Sequence, residues 1–327
     1  MGWQIFGHDR QVAVLDRAVR TGSTAHAYLI TGPASVGKSL LGRELARALN
    51  CERGTNCGTC RRCRLILAER HPEVQSVGVK PPHRLIRVDD VESIQADAAL
   101  RPTDASKKVF IIEQAELLQP DAATRLLKTM EEPPPHVCLV LTCSDAAATL
   151  ATVVSRCQQL RLRPVAKAAL ERWIAERSAL DAAQASLIAT LAQGRPGAAA
   201  RMADDPSLLD QRAAALSQLR ELLAADRFRR LGAARELADQ WSAKPGLVRA
   251  TLGHWTAWLR DAALVQRGRG GLIRNPDCLD DLLRAAGAIS RPASAAARLR
   301  DVVTALDQNA NPRLALDVAV LELPHSG

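Results

Sequence analysis

The sequence predicts an α/β nucleotide-binding domain followed by two helical domains. Three observations carry that expectation. Strand-like and helix-like segments alternate over the first half, a complete Gly-rich phosphate-loop pattern follows the first strand, and strand signals fade beyond about Pro164.

In chain order, His26–Ile30 reads as a buried strand ending in a Gly-rich turn. Ser39–Leu49 reads as a helix, with Leu40, Leu41, Leu45 and Leu49 covering one face. Val88–Leu100 gives a second helix and Val109–Ile112 a buried strand. Asp121–Met130 is a helix stopped by Pro133, Pro134 and Pro135, and Val137–Leu141 is another apolar strand. Lys167–Arg177 and Asp181–Gln193 read as two short helices closed by Gly194-Arg195-Pro196-Gly197. From about Pro206 the pattern is helical, with breaks at Lys244–Gly246, Arg267–Gly271 and Asn309–Pro312. The expected domains are 1–164, 165–205 and 206–327.

Composition agrees with a mostly helical chain. Of the 327 residues 47% are hydrophobic but only 3% aromatic, so packing rests on Ala, Leu, Val and Ile. A formal net charge of +9 favours contact with a polyanion, and equally serves solubility if the arginines only solvate helix faces. The first residues lack a basic-then-apolar signal sequence and no apolar run is long enough to span a bilayer, so no membrane contact and a cytoplasmic location are expected. Clustered thiols in a reducing compartment are more often metal ligands than disulfides.

Gly32, Pro33, Ala34, Ser35, Val36, Gly37, Lys38 and Ser39 fit G-x-x-x-x-G-K-[ST] completely, between a strand and a helix. Glycines let the backbone wrap phosphates and the helix amino terminus adds N–H donors. Lys38 reaches the β and γ oxygens of ATP or ADP, and Ser39 can hold Mg²⁺. Cys51, Cys57, Cys60 and Cys63 form C-x5-C-x2-C-x2-C, a spacing that can close four thiolates around a structural Zn²⁺. A redox dithiol pair or an iron–sulfur cluster is the alternative for the same spacing. Cys138, Cys143, Cys157 and Cys278 are scattered and read as free buried thiols.

After the strand Val109–Ile112 comes Glu113-Gln114-Ala115-Glu116. Glu113 stands where an acid organises Mg²⁺, but Gln114 occupies the place of the water-activating carboxylate and cannot usefully accept a proton. Glu116 reads as a solvated surface acid. Arg156, in Ser155-Arg156-Cys157, is either a solvated residue or a cation that reaches a γ-phosphate held by a neighbouring subunit. Trp255, Trp258 and Leu259 read as core.

The phosphate loop, the four-cysteine insert after its helix, Ala122–Pro134 and Ser155-Arg156-Cys157 occur in that order, and Asn309–Leu316 closes the pattern. The chain thereby resembles the clamp-loader ATPase subunits of bacterial DNA polymerase III over nearly its whole length. That resemblance implies an AAA+ P-loop domain with a zinc module, a small helical lid and an all-α oligomerising collar. It also implies gamma/tau and delta subunits, the β sliding clamp and primer–template DNA as partners. Glu113-Gln114 in place of Asp-Glu, Gly197 in place of a nucleotide-sensing Arg, and the absence of a long tail depart from the gamma/tau motor and favour the delta-prime type. Arg156 then takes the role of an arginine finger in trans. The intact phosphate loop departs from many delta-prime chains and implies nucleotide binding without competent hydrolysis. Competing readings are an active gamma/tau-type motor, a non-replicative zinc-containing nucleic-acid or assembly module, and a metabolic kinase, the last disfavoured by the helical carboxyl-terminal third.

Overall fold

The computed structural model describes residues 2–80 and 83–325. The chain divides into two compact units. One runs to Leu170 and includes Gly194–Ala198; the other holds Glu171–Gln193 and the residues from Ala199 onward.

The first unit contains α1 (Asp9–Thr21), β1 (Ala27–Thr31), α2 (Lys38–Asn50), α3 (Arg61–Leu67), β2 (Val74–Val77), α4 (Val88–Ala98), β3 (Lys108–Ile112), α5 (Pro120–Glu131), β4 (Val137–Cys143), α6 (Ala151–Val154) and β5 (Gln158–Arg161). The strands form one sheet in the order β2-β3-β4-β1-β5, and every neighbouring pair is parallel. β1, β3 and β4 are buried at every position. Continuous apolar runs are what a parallel sheet covered on both faces requires. One face carries Leu29, Phe110, Leu139 and Leu141 against Ile94 and Leu126, and the other carries Tyr28, Ile30, Ile111 and Val140 against Leu41 and Leu45. Because β1 lies between β4 and β5, the chain reverses direction across the sheet there. The carboxyl ends of β1, β3 and β4 therefore meet on one rim, where open α/β sheets place their ligands.

The helices and strands expected from the sequence agree with these elements to within about two residues, but α1, α3, β2, α6 and β5 are not among them, and Pro196 and Gly197, expected as a break, begin a helix that runs to Asp204. α1 was legible: Val12, Leu15 and Val19 recur at helical spacing, and all three face the core around Tyr28. β5 was not, because an edge strand reading Gln-Gln-Leu-Arg buries only Leu160.

In the second unit the helices from Ser207 onward share one core. These are α10 (Ser207–Ala224), α11 (Arg227–Ala243), α12 (Pro245–Gln266), α13 (Leu279–Ala288), α14 (Pro292–Asp307) and α15 (Pro312–Leu321); α7 (Lys167–Arg177), α8 (Ala182–Ala192) and α9 (Pro196–Asp204) precede them. Trp255, Trp258 and Leu259 lie in that core as expected, and Trp255 Nε1 donates to the Ala215 carbonyl at 2.7 Å. Buried Arg230 donates to the Leu222 carbonyl in the last turn of α10 and to the Leu323 and Pro324 carbonyls just beyond α15, tying the two ends together with a single cation. No helix is long and apolar enough to cross a membrane among the described residues.

Candidate nucleotide and metal sites

The phosphate loop leaves β1 with backbone angles that its sequence dictates. Gly32 and Gly37 have φ of 146° and 113°, and a Cβ at Gly32 would lie 2.5 Å from the Leu162 carbonyl oxygen. Only glycine fits there. Gly37 is also the N-cap of α2, with no side chain capping the helix, so the first N–H groups of α2 are left for an anion. Lys38 Nζ folds back onto the carbonyls of Gly32 and Pro33, at 2.7 and 3.0 Å. Burial lowers the pKa of Lys38, and the negative field of Glu116, then of Cys143 and Glu113, opposes that shift. His8 Nε2 contacts the Val36 carbonyl at 2.9 Å, and Gly197 donates its N–H to the Ser35 carbonyl at the same distance. A Cβ at Gly197 would sit 2.9 Å from that oxygen, so the loop backbone closes the space a larger side chain needs.

Glu113 follows β3 directly, and its N–H is tied to the Val77 carbonyl at 2.7 Å. Gln114 takes a left-handed φ of 55°, with its N–H bonded to Thr142 Oγ1 at 3.2 Å. Glu116 is not the solvated acid its position suggested: it is half-buried, its Oε1 accepts the Ser144 N–H at 2.9 Å, and its buried Oε2 has no partner among the described residues. Thr142 and Ser144, at the end of β4, were not singled out from sequence; the polar break after the apolar run Val137–Leu141 was the available signal.

Arg156 follows α6 and does not join this group. Its Nη2 pairs with Glu131 Oε1 at 2.6 Å and its Nη1 donates to the Thr152 carbonyl at 3.0 Å.

The ligand atoms of Cys51, Cys57, Cys60 and Cys63 lie within 4.8 Å of one another. Tetrahedral Zn–S bonds of about 2.3 Å require sulfurs roughly 3.8 Å apart. The Cys51–Cys57 pair stands at 3.6 Å. Backbone N–H groups of Cys57, Cys60 and Cys63 point at the sulfurs of Cys51, Cys57 and Cys60, at 3.3 to 3.4 Å, an arrangement that favours thiolates. The Thr59 hydroxyl and neighbouring backbone N–H groups pull Cys57 down to about 5, whereas burial pushes Cys63 up to about 12. The residues thus fit a metal ion, which would supply the charge that lets all four ionise together.

Beneath this loop lies a buried polar network that sequence reading missed. Glu44 and Arg47, both on α2 and both 0% exposed, pair at 2.5 Å. Glu44 Oε2 accepts from the Gln4 N–H at 2.8 Å and from Asn56 Nδ2 at 3.1 Å, which joins the amino-terminal segment, the phosphate-loop helix and the cysteine loop.

Comparison with known proteins gives these sites a context. The family model described as "DNA polymerase III, delta subunit" matches residues 7–166. The DNA polymerase III subunit delta' of Pseudomonas aeruginosa is 33% identical over 226 residues, which is 68% of this chain and 67% of that protein. The tau subunit of Escherichia coli is 33% identical over 162 residues, covering 49% of this chain and 25% of that one. A gamma subunit-related protein of Thermotoga maritima aligns over 95% of this chain and 97% of its own, with 18% identity and a TM-score of 0.49.

Proposed function

Since the chain belongs to the DNA polymerase III clamp-loader family that includes delta', tau and gamma subunits, we propose that it serves as a delta-prime-type subunit that binds ATP or ADP with Mg²⁺ at Gly32–Ser39, hydrolyses it poorly, and acts on a neighbour's nucleotide through Arg156. The observation that carries this reading is Gln114 at the end of β3. An amide there can orient water but cannot take its proton.

In this reading Lys38 neutralises phosphate charge, the N–H groups of α2 hold the phosphates, and Glu113 and Ser39 supply oxygens toward Mg²⁺. The four cysteines hold a structural Zn²⁺. Arg156 leaves Glu131 when a subunit carrying ATP docks, exchanging a carboxylate partner for a γ-phosphate; a planar guanidinium serves both geometries. Residues 165–205 and 206–327 act as lid and collar. The partners are the gamma/tau and delta subunits, with the β clamp and primer–template DNA engaged through the assembly.

The half-buried Glu116 favours a second reading, an active motor in which its unpartnered Oε2 receives the proton from water. Nucleotide binding and turnover by native, Lys38→Ala and Glu116→Gln chains separate the two. Tight binding with negligible turnover in native and Glu116→Gln chains supports the first reading. Robust native turnover lost in Glu116→Gln supports the second.

A further inference from the structure

β5 ends the sheet, and among the described residues one side of its backbone carries no neighbouring strand. The Leu162 N–H turns inward to the Thr31 carbonyl at 2.8 Å, so by the alternation of a strand the outward groups are those of Gln159 and Arg161. The Arg161 carbonyl already accepts a hydrogen bond from the Gln11 side-chain amide on α1, at 2.8 Å, which shows that this edge can take a donor from outside the sheet. Between α1 and β5 runs a groove of about 530 Å³. Arg10, Arg161 and Arg163 line it with exposed side chains, and its lining includes no carboxylate and no aromatic ring. Elsewhere on this unit Arg43, Arg61, Arg87, Arg125 and Arg156 each pair with a carboxylate. The three groove arginines have no carboxylate partner among the described residues.

We propose that this groove binds an extended acidic peptide, which adds to the free side of β5 as a strand while its carboxylates meet Arg10, Arg161 and Arg163. The remaining outward backbone groups, the N–H and carbonyl of Gln159 and the N–H of Arg161, give strand addition its affinity, and the unpaired guanidinium groups fix which peptide enters and in which register. Single-stranded nucleic acid fits less well, because such sites stack bases on aromatic side chains and this groove has none. The proposal stands apart from the phosphate-loop reading and does not require nucleotide.

The test is fluorescence anisotropy of the full chain with a labelled peptide of about ten residues in which Glu and Thr alternate, a length that spans an edge strand with its flanks. Two further peptides of the same sequence are N-methylated on odd or on even amides. Strand addition presents only one of those sets to β5, so one methylated peptide loses at least tenfold in affinity and the other binds as the parent. The combined Arg10→Ala, Arg161→Ala, Arg163→Ala chain, whose changes are all exposed, also loses at least tenfold while its circular dichroism stays native. Equal binding of both methylated peptides overturns strand addition. Binding unchanged by the arginine substitutions, or no binding at all, overturns the groove. A thymidine oligonucleotide of similar charge that binds more tightly than the peptide, and is lost in the triple variant, makes the groove a nucleic-acid site and overturns the peptide.

Discussion

The substitution Arg47→Met removes one half of a fully buried ion pair and leaves Glu44 Oε1 without its partner at 2.5 Å. Breaking a buried pair from one side costs about 3–5 kcal/mol. Glu44 keeps the Gln4 N–H and Asn56 Nδ2 on its other oxygen, which places this site near the lower end. At roughly 2–4 °C per kcal/mol for a unit of this size, about 3 kcal/mol lowers the melting temperature by about 6–12 °C. Scanning calorimetry of the full chain measures it; the relevant transition is the one that Leu29→Ala, at 0% exposure in β1, also shifts. Adding Glu44→Gln removes the orphaned charge while keeping an acceptor for Gln4 and Asn56, so the double variant regains at least about 1 kcal/mol. A single-variant loss below about 1 kcal/mol, or a double variant no better than the single, means that the network is not the desolvated, paired cluster described.

Replacing Cys60 with Ser removes one of four sulfurs, so zinc measured by mass spectrometry of the purified chain is lost and the melting temperature of the first unit falls; unchanged metal content contradicts the site. Lys38→Ala weakens ATP binding in calorimetric titration by at least about tenfold, since the Lys38 ammonium sits on the loop carbonyls of Gly32 and Pro33, poised to turn onto a phosphate. Burial, aided by the charge of Arg212, lowers the pKa of His254 in the fold. The unfolded chain therefore takes up the proton first, and this residue's stabilising share is present above an unfolded value of about 6.5 and lost as pH falls below it. Denaturation midpoints of native and His254→Gln chains diverge between pH 7.5 and 5.5 on this account, the variant being the less sensitive.

Much of the nucleotide site was legible because its chemistry is local. Gly32 and Gly37 lie within six residues of Lys38, and the two strands that lead into Gly32 and Glu113 are buried at every position, with Val109–Ile112 an uninterrupted apolar run. The four cysteines sit within thirteen residues, so spacing alone brought them together. What stayed hidden depends on distant pairing. Ser144 meets Glu116 only because β3 and β4 are neighbours in the sheet, and Glu131 meets Arg156 across the whole of β4. Glu44 and Arg47 look like an ordinary solvated helical pair until Gln4 and Asn56 close over them. β5 is polar because it lies at an edge, which is also why it escaped a reading based on hydrophobic runs.

In the proposed role this chain holds nucleotide without turning it over and acts on a neighbour's nucleotide through Arg156. The most direct measurement is ATP turnover by the purified chain, alone and mixed with clamp-loader tau and delta subunits, comparing native Arg156 with Arg156→Ala. Negligible turnover alone, a rise in the mixture, and loss of a large part of that rise in Arg156→Ala with assembly intact by size-exclusion chromatography are expected. Robust turnover by the isolated native chain, or a mixture indifferent to Arg156, contradicts it.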